Sequence, residues 1–314
     1  MRRSIFMNHR QFFRSPVPFL FLILVLTLSG CSKKGSSEAS SPFTPGETHV
    51  LVPQADGSNT IGGDPLLLDL SHTDQGYFIG TMSGDGGKIN IQLIGPDNVT
   101  YKYFIEEADS PTVFPFTAGS GSYTLMAFQN ISEDQYASLF SQVIDVELTN
   151  DFLPFLYPNQ YVNFSQDSKA VSLAAQLTSG LTSDVEALTA IYEYVTANIT
   201  YDNEKAATVS GNYLPDIDET LSTKKGICFD YASLTAAMLR SIGIPAKLAI
   251  GYSASVRHAW IDVYIQSVGW VERAVEFNGD EWKLMDPTFA ATGTDESIQE
   301  YIGDGDNYIT EYIR

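Results

Sequence analysis

The chain has 314 residues, 44% of them hydrophobic and 18% charged, which is enough apolar material for a buried core and for about two domains. Asp and Glu number 38 against 18 Lys and Arg, a net charge of −20; this excludes nucleic acid as a partner, because phosphate binding needs clustered cations, and it disfavours adhesion to anionic lipid through a basic face. Two cysteines, Cys31 and Cys228, and four histidines exclude a disulfide-stapled scaffold and a Cys/His zinc cluster, and no metal or other cofactor is expected.

Arg2, Arg3, Arg10 and Arg14 precede an apolar run from about Val17 to Leu28. A positive stretch followed by a short apolar one is the pattern of an export signal, and the run falls short of the ~20 residues of a membrane-spanning helix. It ends in Leu28-Ser29-Gly30-Cys31, which resembles the lipobox of bacterial lipoproteins. That resemblance implies that residues 1–30 are removed, that Cys31 is lipidated, and that the protein sits in the cell envelope, held to a membrane by its lipid. The alternative is an ordinary cleaved signal with a chance cysteine. Processing would remove arginines but no acid, and would leave Cys228 without a disulfide partner in the chain. Residues 31–48, mostly Ser, Lys, Gly, Glu, Pro and Thr, are expected to form a flexible tether.

Residues 49–150 read as strands. The run from Gly76 to Met82 and the alternating Lys88 to Ile94 are separated by the turn cluster Ser83-Gly84-Asp85-Gly86-Gly87. Further strands are expected at Thr100 to Ile105, Ser122 to Phe128 and Gln142 to Leu148. Short strands between Gly, Pro and Asp turns predict an all-β sandwich, with His49 and His72 on its surface and the role of a binding or spacer module.

The composition changes near Asp151, and residues 151–314 are expected to form an α+β domain. Ser183-Asp184-Val185-Glu186 is a capping-box sequence. After it Leu188, Ile191, Tyr192, Val195 and Ile199 recur at helical spacing. Glu204 to Asp218 reads as a loop. A second helix is expected from Cys228 to about Ser241, stopped by Gly243 and Pro245. Strands follow at Ala246 to Tyr252, Ala259 to Gln266 and Glu281 to Met285, and Val271 to Phe277 adds another strand or extends a hairpin. Helices followed by strands predict helices packed on an antiparallel sheet.

Three residues form a candidate catalytic set. Cys228 lies where a loop enters a helix, and the first-turn amides and helix dipole there favour a thiolate. His258 opens the strand-like run His258-Ala259-Trp260-Ile261-Asp262-Val263 and can act as base and acid. Asp286, just before Pro287, is placed to orient the imidazole. Each also has an ordinary reading, as a buried structural thiol, a packing histidine and a turn residue.

From about Asp184 to Thr292 the chain resembles the transglutaminase-like superfamily of papain-type cysteine enzymes. The resemblance rests on Tyr201-Asp202, Gly226-Ile227-Cys228-Phe229-Asp230-Tyr231-Ala232, Arg240-Ser241-Ile242-Gly243-Ile244-Pro245-Ala246, Gly251-Tyr252, His258-Ala259-Trp260 and Asp286-Pro287-Thr288. It implies that Cys228 is the nucleophile, His258 the base and Asp286 the orienter. One departure is the segment between Gly269-Trp270 and Trp282, which reads as an inserted hairpin beside the site. The Cys228 amide is a candidate oxyanion donor, and Tyr201, Trp260 and Trp282 are candidates for oxyanion or substrate contacts. The expected activity is attack on a peptide or amide bond through a thioester, with a protein or peptide substrate, resolved by water or by a second amine; water is favoured because no second binding site can be read. The competing expectation is a non-catalytic binding scaffold on the same fold.

Overall fold

The computed structural model describes residues 43–84, 87–253, 256–277, 282–284 and 308–314. The first part is a sandwich of two antiparallel sheets. Its strands are β1 (Thr60–Gly63), β2 (Leu66–Asp69), β3 (Tyr77–Met82), β4 (Ile89–Ile94), β5 (Thr100–Ile105), β6 (Thr112–Pro115), β7 (Gly121–Ser132) and β8 (Gln135–Val146). One sheet has the order β1-β2-β3-β6 and the other β5-β4-β7-β8. Leu68, Phe78 and Phe114 of the first face Ile91, Tyr103 and Leu125 of the second in one core. The alternation of β5 puts Tyr101, Tyr103 and Ile105 inward and Lys102 outward, the period of a half-buried strand. β8 starts well before the expected Gln142. It is an edge strand with mostly exposed residues, so it carries little apolar alternation.

The second part begins with α1 (Lys169–Thr178), α2 (Asp184–Asn198), β9 (Thr200–Tyr201), α3 (Asn203–Thr208), α4 (Ile217–Thr223), β10 (Lys225–Gly226) and α5 (Cys228–Ser241). Ser183 caps α2 by accepting from Glu186 N–H at 3.2 Å, and the Glu186 carboxylate reaches back to the N–H of Thr182, at 2.7 Å, and to that of Ser183. The stretch expected as a loop, Glu204 to Asp218, contains α3 and the start of α4. Both helices are too short for apolar periodicity and depend on caps: Asp202 accepts from Lys205 N–H and Asp216 from Glu219 N–H, each at 2.9 Å. α1 gives little sequence signal because its buried face is small: Ala170, Val171, Ala174 and Thr178.

The sheet that follows consists of β11 (Ala246–Ser253), β12 (Val256–Ile265), β13 (Gly269–Phe277), β14 (Trp282–Leu284) and β15 (Tyr308–Ile313), in the order β14-β13-β12-β11-β15, all antiparallel. α5 is buried on every side from Asp230 to Ser241 and packs between this sheet and α1, α2 and α4, as befits a helix at the centre of a core. β15 was not expected from the sequence. It closes on β11 at Gly251, where a Cβ would stand 1.9 Å from the Ile309 carbonyl oxygen. Of the stretch read as a tether, residues 43–48 are described: Phe43 packs against the helical core, and His49 N–H donates to Ser241 O at 2.7 Å.

Candidate active site

The entry to α5 is fixed by a two-residue parallel pairing. Thr200 N–H donates to Lys224 O and Asp202 N–H to Gly226 O, both at 2.9 Å, which sets Tyr201 opposite Gly226 and just ahead of Cys228. Gly226 has no room for a side chain, since a Cβ would lie 2.7 Å from Asp230 Cβ. The Asp230 carboxylate is fully buried in the first turn of α5. It accepts from Ile227 N–H at 2.8 Å and from the Tyr213 hydroxyl, and it pairs with Lys205 Nζ at 2.8 Å. Lys205 in turn donates to Tyr213 Oη at 2.6 Å. These contacts tie the α3 segment to the turn that carries Cys228. At the other end of α5, Arg240 donates to the carbonyls of Ala246, Tyr157 and Arg314, each at 2.9 Å. Burial lowers the Arg240 pKa to about 9.

Cys228 is the first residue of α5 and only partly accessible. Its sulfur receives the backbone N–H of Ala259, so the thiol lies against β12 at the residue next to His258. Burial pushes the Cys228 thiol up, and the N–H groups of Ala259, Phe229 and Cys228 itself oppose that rise without cancelling it. The donors of the helix start are in place, but the depth of the sulfur outweighs them, so a lowered thiol here requires the imidazolium as well.

His258 is buried on β12 opposite Gly251. Cys228, His258 and Tyr201 line one cavity of about 830 Å³. Tyr201 is half-buried, with its pKa raised by burial and by the nearby Cys228 and Asp230 charges. Trp260 is 2% exposed and does not line the cavity; its ring stacks at 6.4 Å on that of His258, which makes it a support for the imidazole. Trp282 lies in β14, and its side chain, like Asp286 and Cys31, falls outside the described residues. Among the described residues no cluster of His, Cys, Asp and Glu is arranged to hold a metal.

The cavity has a wall that sequence reading missed. The sandwich supplies residues from Lys102 to Val113, the connecting segment supplies Asn159 and Tyr161, and β15 supplies Tyr312, with Arg314 just beyond it. The Lys205–Tyr213–Asp230 network was missed too. An acid two residues after Cys228 in a helix expected to be buried was the available sign, since a buried carboxylate needs partners.

Residues 171–273 match the family model of the transglutaminase-like superfamily, a span that runs from α1 into β13 and contains both Cys228 and His258. The fold is thus a transglutaminase-like core of helices on an antiparallel sheet, preceded by a strand-rich region. The uncharacterized protein YebA of Bacillus subtilis (strain 168) is 22% identical over 203 residues, 57% of this chain; the match covers 27% of that relative. A candidate cysteine protease from Cytophaga hutchinsonii is 16% identical over 76% of this chain and 83% of its own, with a TM-score of 0.37. A structure described as a TGase is 23% identical over 40% of this chain and 31% of its own, with a TM-score of 0.27.

Proposed function

We propose that this protein is an exported cysteine enzyme that acts on peptide or amide bonds through a thioester. The observation that carries this reading is the meeting of Cys228, at the start of a buried helix, with the His258–Ala259 segment of β12 at one large cavity. The Cys228 thiolate attacks the substrate carbonyl, and His258 delivers the proton to the leaving amine. The Cys228 amide, free of an intrahelical acceptor at the helix start, serves the oxyanion. Tyr201 is the candidate for a second donor and Asp286 for the orienter of the imidazole. Water then resolves the thioester, as in a peptidase or amidase; a primary amine in its place would make the reaction a transamidation. Hydrolysis is preferred because it needs no second binding site. A cavity of about 830 Å³ is at the upper end of the size that takes a compact organic ligand, which suits several residues of a peptide. In the same reading a lipid on Cys31 holds the enzyme at a membrane of the cell envelope, and the sandwich helps to select the substrate.

The test uses the full chain produced in a bacterial host and fractionated. Activity should sediment with membranes in the wild type and become soluble in Cys31→Ser. Incubation with a peptide library should create new N-termini, and an added primary amine should not be incorporated. Cys228→Ala should abolish product formation. Undiminished product from Cys228→Ala would overturn the enzymatic reading, and soluble wild-type activity would overturn the anchor.

A further inference from the structure

Arg314 reaches the wall of the cavity that holds Cys228 and His258. It is 3% exposed. Its guanidinium carbon lies 5.2 Å from the ring centre of Tyr101, 4.4 Å from Tyr103, 4.7 Å from Tyr161 and 4.9 Å from Tyr312. Nη2 donates to Lys102 O at 3.3 Å and the guanidinium acts on the buried Tyr103 hydroxyl, whereas Nε and Nη1 have no hydrogen bond of good geometry. Asn159, in the same wall, is also buried. Its Oδ1 accepts from the N–H groups of Tyr161 and Val162 at 2.9 and 3.1 Å, which fixes the orientation of the amide and leaves Nδ2 without an acceptor.

Among the described residues no carboxylate lies within ion-pair distance of Arg314, and Glu106 on the cavity wall is engaged by Lys88 at 2.6 Å. Aromatic faces stabilise a cation but accept its N–H groups poorly. A buried guanidinium and a buried amide with free donors are costly unless an acceptor meets them, and an anion answers both the charge and the hydrogens.

The geometry points to a carboxylate-binding subsite at Arg314 and Asn159, which selects peptides that carry an acidic side chain or a free C-terminal carboxylate to one side of the bond attacked at Cys228. The subsite rests on the enzymatic reading for its link to that bond. Phe229, the neighbour of Cys228, packs on Tyr161 at 5.9 Å between ring centres, and Tyr161 in turn covers Arg314. One pair of rings therefore separates nucleophile and subsite. The guanidinium is buried among the four rings, so a carboxylate reaches it by displacing Tyr161 or Tyr312, the two of the four that line the cavity.

The test uses peptides matched except for Glu against Gln at each position in turn, or for a C-terminal acid against an amide. They are titrated calorimetrically against full-length Cys228→Ala protein and assayed for turnover with the wild type. One acidic form should bind at least about tenfold tighter than its neutral partner, the scale of a desolvated charge contact, and its position tells side chain from C-terminus. Arg314→Met should bring that ratio to about one, whereas loss of a merely structural arginine would weaken acidic and neutral peptides alike. Should Arg314→Met fail to fold, Asn159→Ala should reduce the same ratio. Equal affinities for acidic and neutral peptides, or a ratio that survives both substitutions, would overturn the subsite. Acid-selective binding without turnover keeps the subsite and defeats the enzymatic reading; turnover without acid selectivity does the reverse.

Discussion

At Cys228 two effects compete. The start of α5 and the Ala259 N–H supply donors that favour a thiolate, while burial favours the neutral thiol and wins. A reactive sulfur here needs a cation, and in the proposed function His258, which lines the same cavity, supplies it. Iodoacetamide should therefore alkylate wild-type Cys228 already at mildly acidic pH through a thiolate–imidazolium pair. In His258→Ala the thiol stands above its ordinary value, so alkylation should set in only at alkaline pH. Rates measured against pH decide the matter, and superimposable profiles would remove His258 from the activation of the thiol. The types and order of Cys228 and His258 were legible in the sequence. The balance at the sulfur was not, because it depends on how deeply α5 is packed.

At the scale of the element, β12 carries His258 near one end and Asp262 near the other. Asp262 is buried, accepts Arg273 N–H at 2.8 Å and faces Lys247 across the ladder. Burial raises its pKa from 3.8 to about 6 against the opposing pull of that N–H and of Lys247. Because the folded protein holds this proton more tightly than the unfolded chain, the contribution to stability is complete below pH ~4. It falls as pH rises through about 6, by about 3 kcal/mol at most. Asp262→Asn should flatten that part of the profile and raise the Tm at neutral pH. Denaturation of both proteins between pH 4 and 8 measures it, and parallel curves would refute the assignment. Elements with a strong period, such as α2, β4 and β5, could be read from sequence. α3 and α4, held by caps, and β15, held by its pairing with β11, could not.

For the whole molecule, the cavity couples the strand-rich region to the transglutaminase-like core. Thr117 Oγ1 donates to Ile313 O at 2.9 Å, Tyr161 Oη to Lys102 O at 3.2 Å, and Tyr101 and Tyr103 of β5 cover Arg314. A fragment of residues 151–314 retains the core around α5, from Ala170 and Leu188 to Leu239 and Ile261, and should fold. It loses Tyr101 and Tyr103, two of the four rings around Arg314, and the wall from Lys102 to Val113, so its Tm should be lower and its KM for peptides higher than those of the full chain. Thermal unfolding and steady-state kinetics check this. An unchanged KM would mean that the sandwich contributes nothing to substrate binding.

By itself the sequence determined the local matters: the α+β class from helical and alternating periods, Cys228 at a helix start, His258 on a strand, and the order in which they come. Those features depend on neighbours a few residues apart. Only the tertiary structure decided what stands around the thiol, because Lys205, Tyr213 and Asp230 meet across a folded segment, and Tyr101, Tyr103, Asn159, Tyr161 and Arg314 converge from distant parts of the chain. Burial and hydrogen-bond partners are set by that convergence, and no spacing along the chain encodes it.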